Sequence, residues 1–136
     1  MRARLLATTL VFVTIGLLAA ASAPADDRAY ELRVYIAADG KLDALHERFR
    51  EHTLDLFEKH GMTVVAFWTP TDAERASTTL IYVLSYPDAE ARAKSWKAFA
   101  EDPEWRRVYQ ESHKDGPLVE KVESTMMTPT DYSPMR

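Results

Sequence analysis

Four histidines, at positions 46, 52, 60 and 113, hold the side chains that titrate most readily near neutral pH, so proton transfer and metal ligation are weighed there first. Three of them fall in one stretch, KLDALHERFREHTLDLFEKHG. Their spacings do not place all three on one helical face, so a metal site from one chain is not expected. HERFR resembles half of a zinc-protease helix but carries Arg50 where the second histidine belongs. His52 lies three after Phe49 and four before Leu56, which predicts that it projects toward the sheet. There an imidazole can act as base or donor, although inward histidines are more often packed core residues. His46 and His60 are expected at solvent or at the helix end. A second set sits on predicted strands: Arg33, Tyr35, Phe67, Trp68, Tyr82 and Tyr86. Such side chains can line a cleft for a small apolar ligand with one polar group. Arg33 suits a carboxylate or phosphate through its planar fork. The competing reading is an ion pair within the sheet, for instance to Glu31 on a neighbouring strand, or to a helix acid. Trp68 reads more readily as core or interface. The candidate ligand-binding residues are therefore Arg33, Tyr35, His52, Trp68 and Tyr82, with His52 and Tyr35 the candidates for moving a proton.

Other chemistries are excluded by composition. No cysteine occurs, so there is no disulfide, no thiolate nucleophile and no Cys-type zinc site. Gly16, Gly40, Gly61 and Gly116 form no phosphate-cradling loop, and no G-x-S-x-G elbow or triad can be assembled. The basic residues are interspersed with acids, which argues against nucleic acid.

The amino terminus, MRARLLATTLVFVTIGLLAAASAPADD, has the form of a secretory signal: Arg2 and Arg4, an apolar run, then small residues. Cleavage after Ala25 takes the formal net charge from −4 to −6 and leaves a length suited to one domain, with residues 26–29 a flexible start. The expected location is secreted or periplasmic, with no membrane span after signal removal.

The elements that must position the candidates follow from periodicity. YELRVYI, 30–36, alternates as a strand with Leu32, Val34 and Ile36 on one face and Glu31, Arg33 and Tyr35 on the other. The stretch after AADG is the clearest helix, apolar at Leu42, Leu45, Phe49, Thr53, Leu56 and Phe57, and Gly61 is a natural left-handed stop. MTVVAFWTP and TTLIYVLSY read as an antiparallel hairpin. A second helical region runs from PDAEAR to about Ala100, and LVEKVESTMM is a fourth strand. Residues 128–136 form a tail. Between the second helix and the next lies DPEW. Asp102 is a preferred N-cap and Pro103 suits a first helical position, so the helix is expected to stop and restart there, bringing Trp96, Phe99 and Trp105 together.

The order strand, helix, strand, strand, helix, strand is the ferredoxin-like βαββαβ arrangement, an α+β fold with a four-stranded antiparallel sheet and helices on one face. VVAFW and LIYVL are apolar at both parities, so the face away from the helices also needs cover, most simply from a second copy.

YELRVY, GKLDALHERFREHTLDLFEKHGM, a strand ending in FW, and W-K-A-F-x-x-D-P-E-W together resemble the NIPSNAP domain over residues 30–127. That resemblance implies the dimeric α/β barrel superfamily, in which protomers pair sheet to sheet. The superfamily includes cofactor-free monooxygenases, haem enzymes and isomerases, while NIPSNAP members have no agreed chemistry. Covalent haem is excluded here by the missing cysteines, nothing marks a haem pocket, and no cofactor is expected. The leading expectation is an exported homodimer that binds a small hydrophobic molecule or a protein partner. The alternative is a cofactor-independent monooxygenase or isomerase acting in the helix–sheet cleft, and a third reading is a structural envelope role. A binder needs a cavity. A structural protein would have that volume filled by Phe49, Trp96, Phe99 and Trp105.

Overall fold

The computed structural model describes residues 28–135. The expected signal segment, 1–25, lies outside the described residues. Four strands form one antiparallel sheet: β1 (Ala29–Ala37), β2 (Thr63–Trp68), β3 (Thr79–Tyr86) and β4 (Val119–Met127), in the order β2-β3-β1-β4. The helical segments α1 (Leu42–Arg48), α2 (Leu54–Lys59), α3 (Ala89–Glu101) and α4 (Pro103–Ser112) connect them in the sequence that the periodicity predicts. The first strand begins one residue before Tyr30. Ala29 already pairs with Tyr86, and Arg28 donates to Ser85 Oγ at 2.6 Å.

Alternation sets the two faces of the sheet. Glu31, Arg33 and Tyr35 sit opposite Leu84, Tyr82 and Leu80 in register, and these point to the helices. Leu32, Val34 and Ile36 pair with Val83, Ile81 and Thr79 and form the other face. A bulge in β2 breaks the alternation. Val64 pairs with Leu84 and Ala66 with Val83, so one extra residue is accommodated between them. Phe67 therefore returns to the helix side opposite Tyr82, and Trp68 falls on the open side opposite Ile81.

The first helical stretch is continuous but not uniform. Between α1 and α2, Phe49–Thr53 form a π-helical turn. Leu54 N–H bonds to the Phe49 carbonyl, and Thr53 Oγ1 donates to the Arg48 carbonyl at 3.2 Å. Each link spans five residues instead of four, which delays the next inward position by one. Arg48, Phe49, Thr53, Leu56 and Phe57 are all buried along this stretch, whereas His52 is turned aside. The helix ends in a Schellman motif: Met62 N–H bonds to Phe57 O, Gly61 N–H to Glu58 O, and Gly61 takes φ +72°.

The DPEW corner forms as its residues dictate. Asp102 leaves α3 with extended geometry and accepts from Glu104 N–H at 2.8 Å, with Pro103 in the first turn of α4. His60 Nε2 and Lys59 Nζ reach the same carboxylate at 2.7 and 2.8 Å, so the corner also clamps the end of α2. His60 is thus largely covered rather than at solvent. Phe99 stands 5.6 Å from Trp96 and 4.5 Å from Trp105 between ring centroids, and Phe57 and Phe49 extend this aromatic core to Tyr82 and Phe67.

Candidate functional site

The chemistry of the helix-side face is organised by one carboxylate. Glu31 is fully buried and accepts six hydrogen bonds from five residues: Arg33 Nη1, Arg92 Nη2 and Nε, Tyr86 OH, Trp96 Nε1 and Ser124 Oγ, at 2.6 to 3.1 Å. Burial favours the neutral acid, but the donors, Arg92 first and then Ser124, Trp96 and Tyr86, outweigh it and hold the carboxyl well below the usual range. The same burial, followed by the bond to Glu31, pushes the Tyr86 phenol up.

Arg33 belongs to this network. Besides Glu31 it donates to Tyr82 OH at 3.0 Å and to Tyr35 OH at 3.2 Å, and its guanidinium lies 4.3 Å from the Trp96 ring centroid. The ion pair with Glu31 runs along one strand, between neighbours on the same face, and it engages the planar fork that would otherwise hold a ligand anion. Tyr82 is fully buried, and burial, then its neighbour Tyr35, push its hydroxyl up so that it remains a phenol.

Beside this network a cavity of about 340 Å³ opens between the helices and the β1–β4 side of the sheet. Phe49, Trp96, Phe99, Trp105 and Tyr109 give it aromatic walls; Tyr35, Arg48 and His113 give it polar groups; Val119 to Val122 of β4 form its rim. Arg48 is 7% exposed. Its Nη1 donates to Ser112 Oγ at 3.2 Å, its guanidinium lies 5.2 Å from the Trp105 ring centroid, and its Nε has no hydrogen-bond partner. Burial lowers its pKa, against the pull of Tyr35, Tyr109 and Tyr82, but a guanidinium remains charged. His113 stacks on Tyr109 at 3.9 Å, and its Nδ1 lies 2.7 Å from the Tyr109 carbonyl. A carbonyl only accepts, so Nδ1 carries the proton in the neutral ring and Nε2 holds the lone pair.

The structure brings together only part of the residue set expected from sequence. Tyr35 lines the cavity, and Arg33 and Tyr82 stand behind it within the Glu31 network. His52 does not project toward the sheet: the π-helical turn rotates it into a groove against Arg107, Val108 and Glu111 of α4. Trp68 is 50% exposed on the other side of the sheet, where it borders Tyr30, Val65, Val83 and the tail. Sequence reasoning missed Arg48, Tyr109 and His113. A signal existed for two of them, because Trp105, Tyr109 and His113 recur every four residues along one helix face. Among the described residues no cluster of three or more His, Asp or Glu could hold a metal ion, and no helix is long and apolar enough to cross a membrane.

No curated protein matches the chain. Solved structures do. A NIPSNAP family protein from Agrobacterium tumefaciens superposes with a TM-score of 0.70 at 22% identity, covering 80% of this chain and 99% of that one. An uncharacterized NIPSNAP-like domain protein from Burkholderia xenovorans gives 0.68 at 17% identity, covering 80% and 90%. SnoaB, a cofactor-independent oxygenase from Streptomyces nogalater, gives 0.54 at 11% identity, covering 79% and 98%. At these identities the likeness is one of fold. A family model, NIPSNAP, matches residues 30–134, which takes in the sheet except for Ala29, the described helices and every wall of the cavity. The chain belongs to the NIPSNAP family.

Proposed function

We propose that the protein is an exported homodimer that holds a small apolar molecule in the cavity between its helices and its sheet. One observation carries the binding reading: Phe49, Trp96, Phe99 and Trp105 pack closely yet leave about 340 Å³ unfilled beside them. That volume lies within the roughly 300–1,000 Å³ of small-molecule sites, and aromatic walls with a few convergent polar groups are what such sites use. Support for the dimer is the apolar open face of Leu32, Val34, Ile36, Ile81 and Val83, which no helix among the described residues covers and which the tail borders at the end formed by Tyr30, Val65, Trp68 and Val83. Export rests on the amino-terminal pattern alone and is tested by fractionating cells and sequencing the mature amino terminus, expected at Asp26.

The binding reading is tested by titrating the mature protein with 2-naphthalenemethanol, a neutral planar probe, while following the indole N–H resonances. Saturable shifts at Trp105 are expected. They are also expected to vanish in Val122→Trp, which fills the rim of the cavity from β4. Binding that is absent, or indifferent to that substitution, sinks the reading. A second reading, a cofactor-independent oxygenase or isomerase working in the same cleft, is favoured by the His113 tautomer, which leaves Nε2 free to accept a proton beside the cavity. Tyr35 stays on the wall in that reading, while His52 stands outside it.

A further inference from the structure

The helix-side interior contains three arginines, and they are not treated alike. Arg33 and Arg92 both reach Glu31 at 2.7 Å. Arg48 is as deeply placed as Arg33, yet among the described residues no carboxylate lies within ion-pair distance of it. Its Nη1 is engaged by a neutral hydroxyl, Ser112, and neither Nε nor Nη2 has a hydrogen-bond partner among the described residues. A buried cation without a counterion is strongly disfavoured. The face of Trp105 offsets part of that penalty but supplies no acceptor in the plane of the fork. Nε is enclosed by the fold, whereas Nη2 is not, so Nη2 is the group of the fork left to meet a carboxylate.

We propose that the cavity is a receptor for a small planar monoacid whose carboxylate pairs with Arg48 and whose ring system lies against Trp105 and Tyr109. This rests on the small-molecule reading above and adds the ligand's charge and shape. The other charges around the cavity argue for one anionic group rather than two. Glu120 stands on the rim and repels a second carboxylate, while Lys121 is engaged by Glu123. His113 from α4 and Tyr35 from β1 complete the polar lining. The volume admits one or two fused rings and not a long chain.

The test is calorimetric titration of the mature protein with 2-naphthoate, 2-naphthalenemethanol and 2,6-naphthalenedicarboxylate, repeated on Arg48→Met. The acid is expected to bind about tenfold or more tightly than the alcohol, as a charge-assisted pair requires, and the diacid more weakly than the acid. Arg48→Met should abolish the preference for the acid, so that acid and alcohol bind about equally. It should also melt at or above the wild-type temperature, since it removes an unpaired buried charge. Equal affinity for acid and alcohol, or a preference that survives Arg48→Met, overturns the proposal and leaves the small-molecule reading standing. A diacid that binds more tightly than the acid overturns the single-anion claim. If none of the three probes binds, both fall together.

Discussion

Replacing Glu31 by Gln tests the network on which the helix-side face depends. The substitution keeps the shape and removes the charge. It also brings an amide N–H₂ into a ring of donors, where Arg33, Arg92, Tyr86, Trp96 and Ser124 all require an acceptor. Arg92, partly exposed, can turn to water, but the Arg33 side chain is only 13% exposed and cannot. Removing one partner of a buried ion pair destabilises by about 3–5 kcal/mol. For a domain of this size, at about 4 °C per kcal/mol, the midpoint should fall by roughly 12–20 °C. Thermal melts followed by circular dichroism measure this directly. The pH dependence has a determined sign. The folded-state pKa of Glu31 is depressed, so its contribution is present above the ordinary carboxylate range and is lost as pH falls toward the lowered value. Glu31→Gln should therefore lose less stability than wild type on acidification. Adding Arg33→Met should restore part of the midpoint, because the buried cation that Glu31 neutralised is then gone. A loss under about 4 °C, or no recovery in the double variant, would refute the claim that this carboxylate neutralises the interior.

Asp102→Ala should lower the urea midpoint, since it uncaps α4 and frees Lys59 and His60; Asp102→Asn, which keeps an N-cap acceptor, should recover most of the loss. Lys59 first, then His60, hold the Asp102 carboxyl well below its usual range, so this contribution too is present above that range and fades on acidification. Gly61→Ala should destabilise by about 1 kcal/mol in urea titration through its positive φ alone, because a Cβ there meets nothing closer than Ser95 Oγ at 3.7 Å. Val34→Asp, at the centre of the open sheet face, should leave the melt of the protomer nearly unchanged and convert a dimer to a monomer in sedimentation equilibrium; a wild-type protein already monomeric at micromolar concentration would end the dimer proposal.

The elements were legible in sequence because their signals are local. Alternation marks β1, a left-handed glycine marks the end of α2, and an Asp-Pro pair marks the start of α4. The element order then leads to the sheet. The candidate site was less legible because two one-residue irregularities lie between the pattern and the site. Regular alternation puts Phe67 and Trp68 on the wrong faces, and the β2 bulge between Val64 and Ala66 corrects both. Regular helical spacing turns both His52 and Thr53 inward, and past the π-helical turn only Thr53 is buried. Neither irregularity has a side-chain signature of its own, for each depends on how the element fits its neighbour. Arg33 was recognisable as an anion-binding type, but which acid would reach it depends on the network. Its partner is two residues away on its own strand.

Position in the fold also explains why Arg48 differs from the other two interior arginines. Glu31 lies on β1 between β3 and β4, and its two oxygens are saturated by six donors from β1, β3, α3 and β4. No lone pair remains for a third cation. In a regular helix that buries Leu45 and Phe49, the inward row runs through those two residues and Arg48 is on the flank. Arg48 closes α1 three residues after Leu45 and enters beside Phe49 on the flank next to α4 rather than beneath α3. Arg48 is thereby placed with Ser112 and Trp105, apart from the acid that serves Arg33 and Arg92, at the wall of the volume that the aromatic core leaves open.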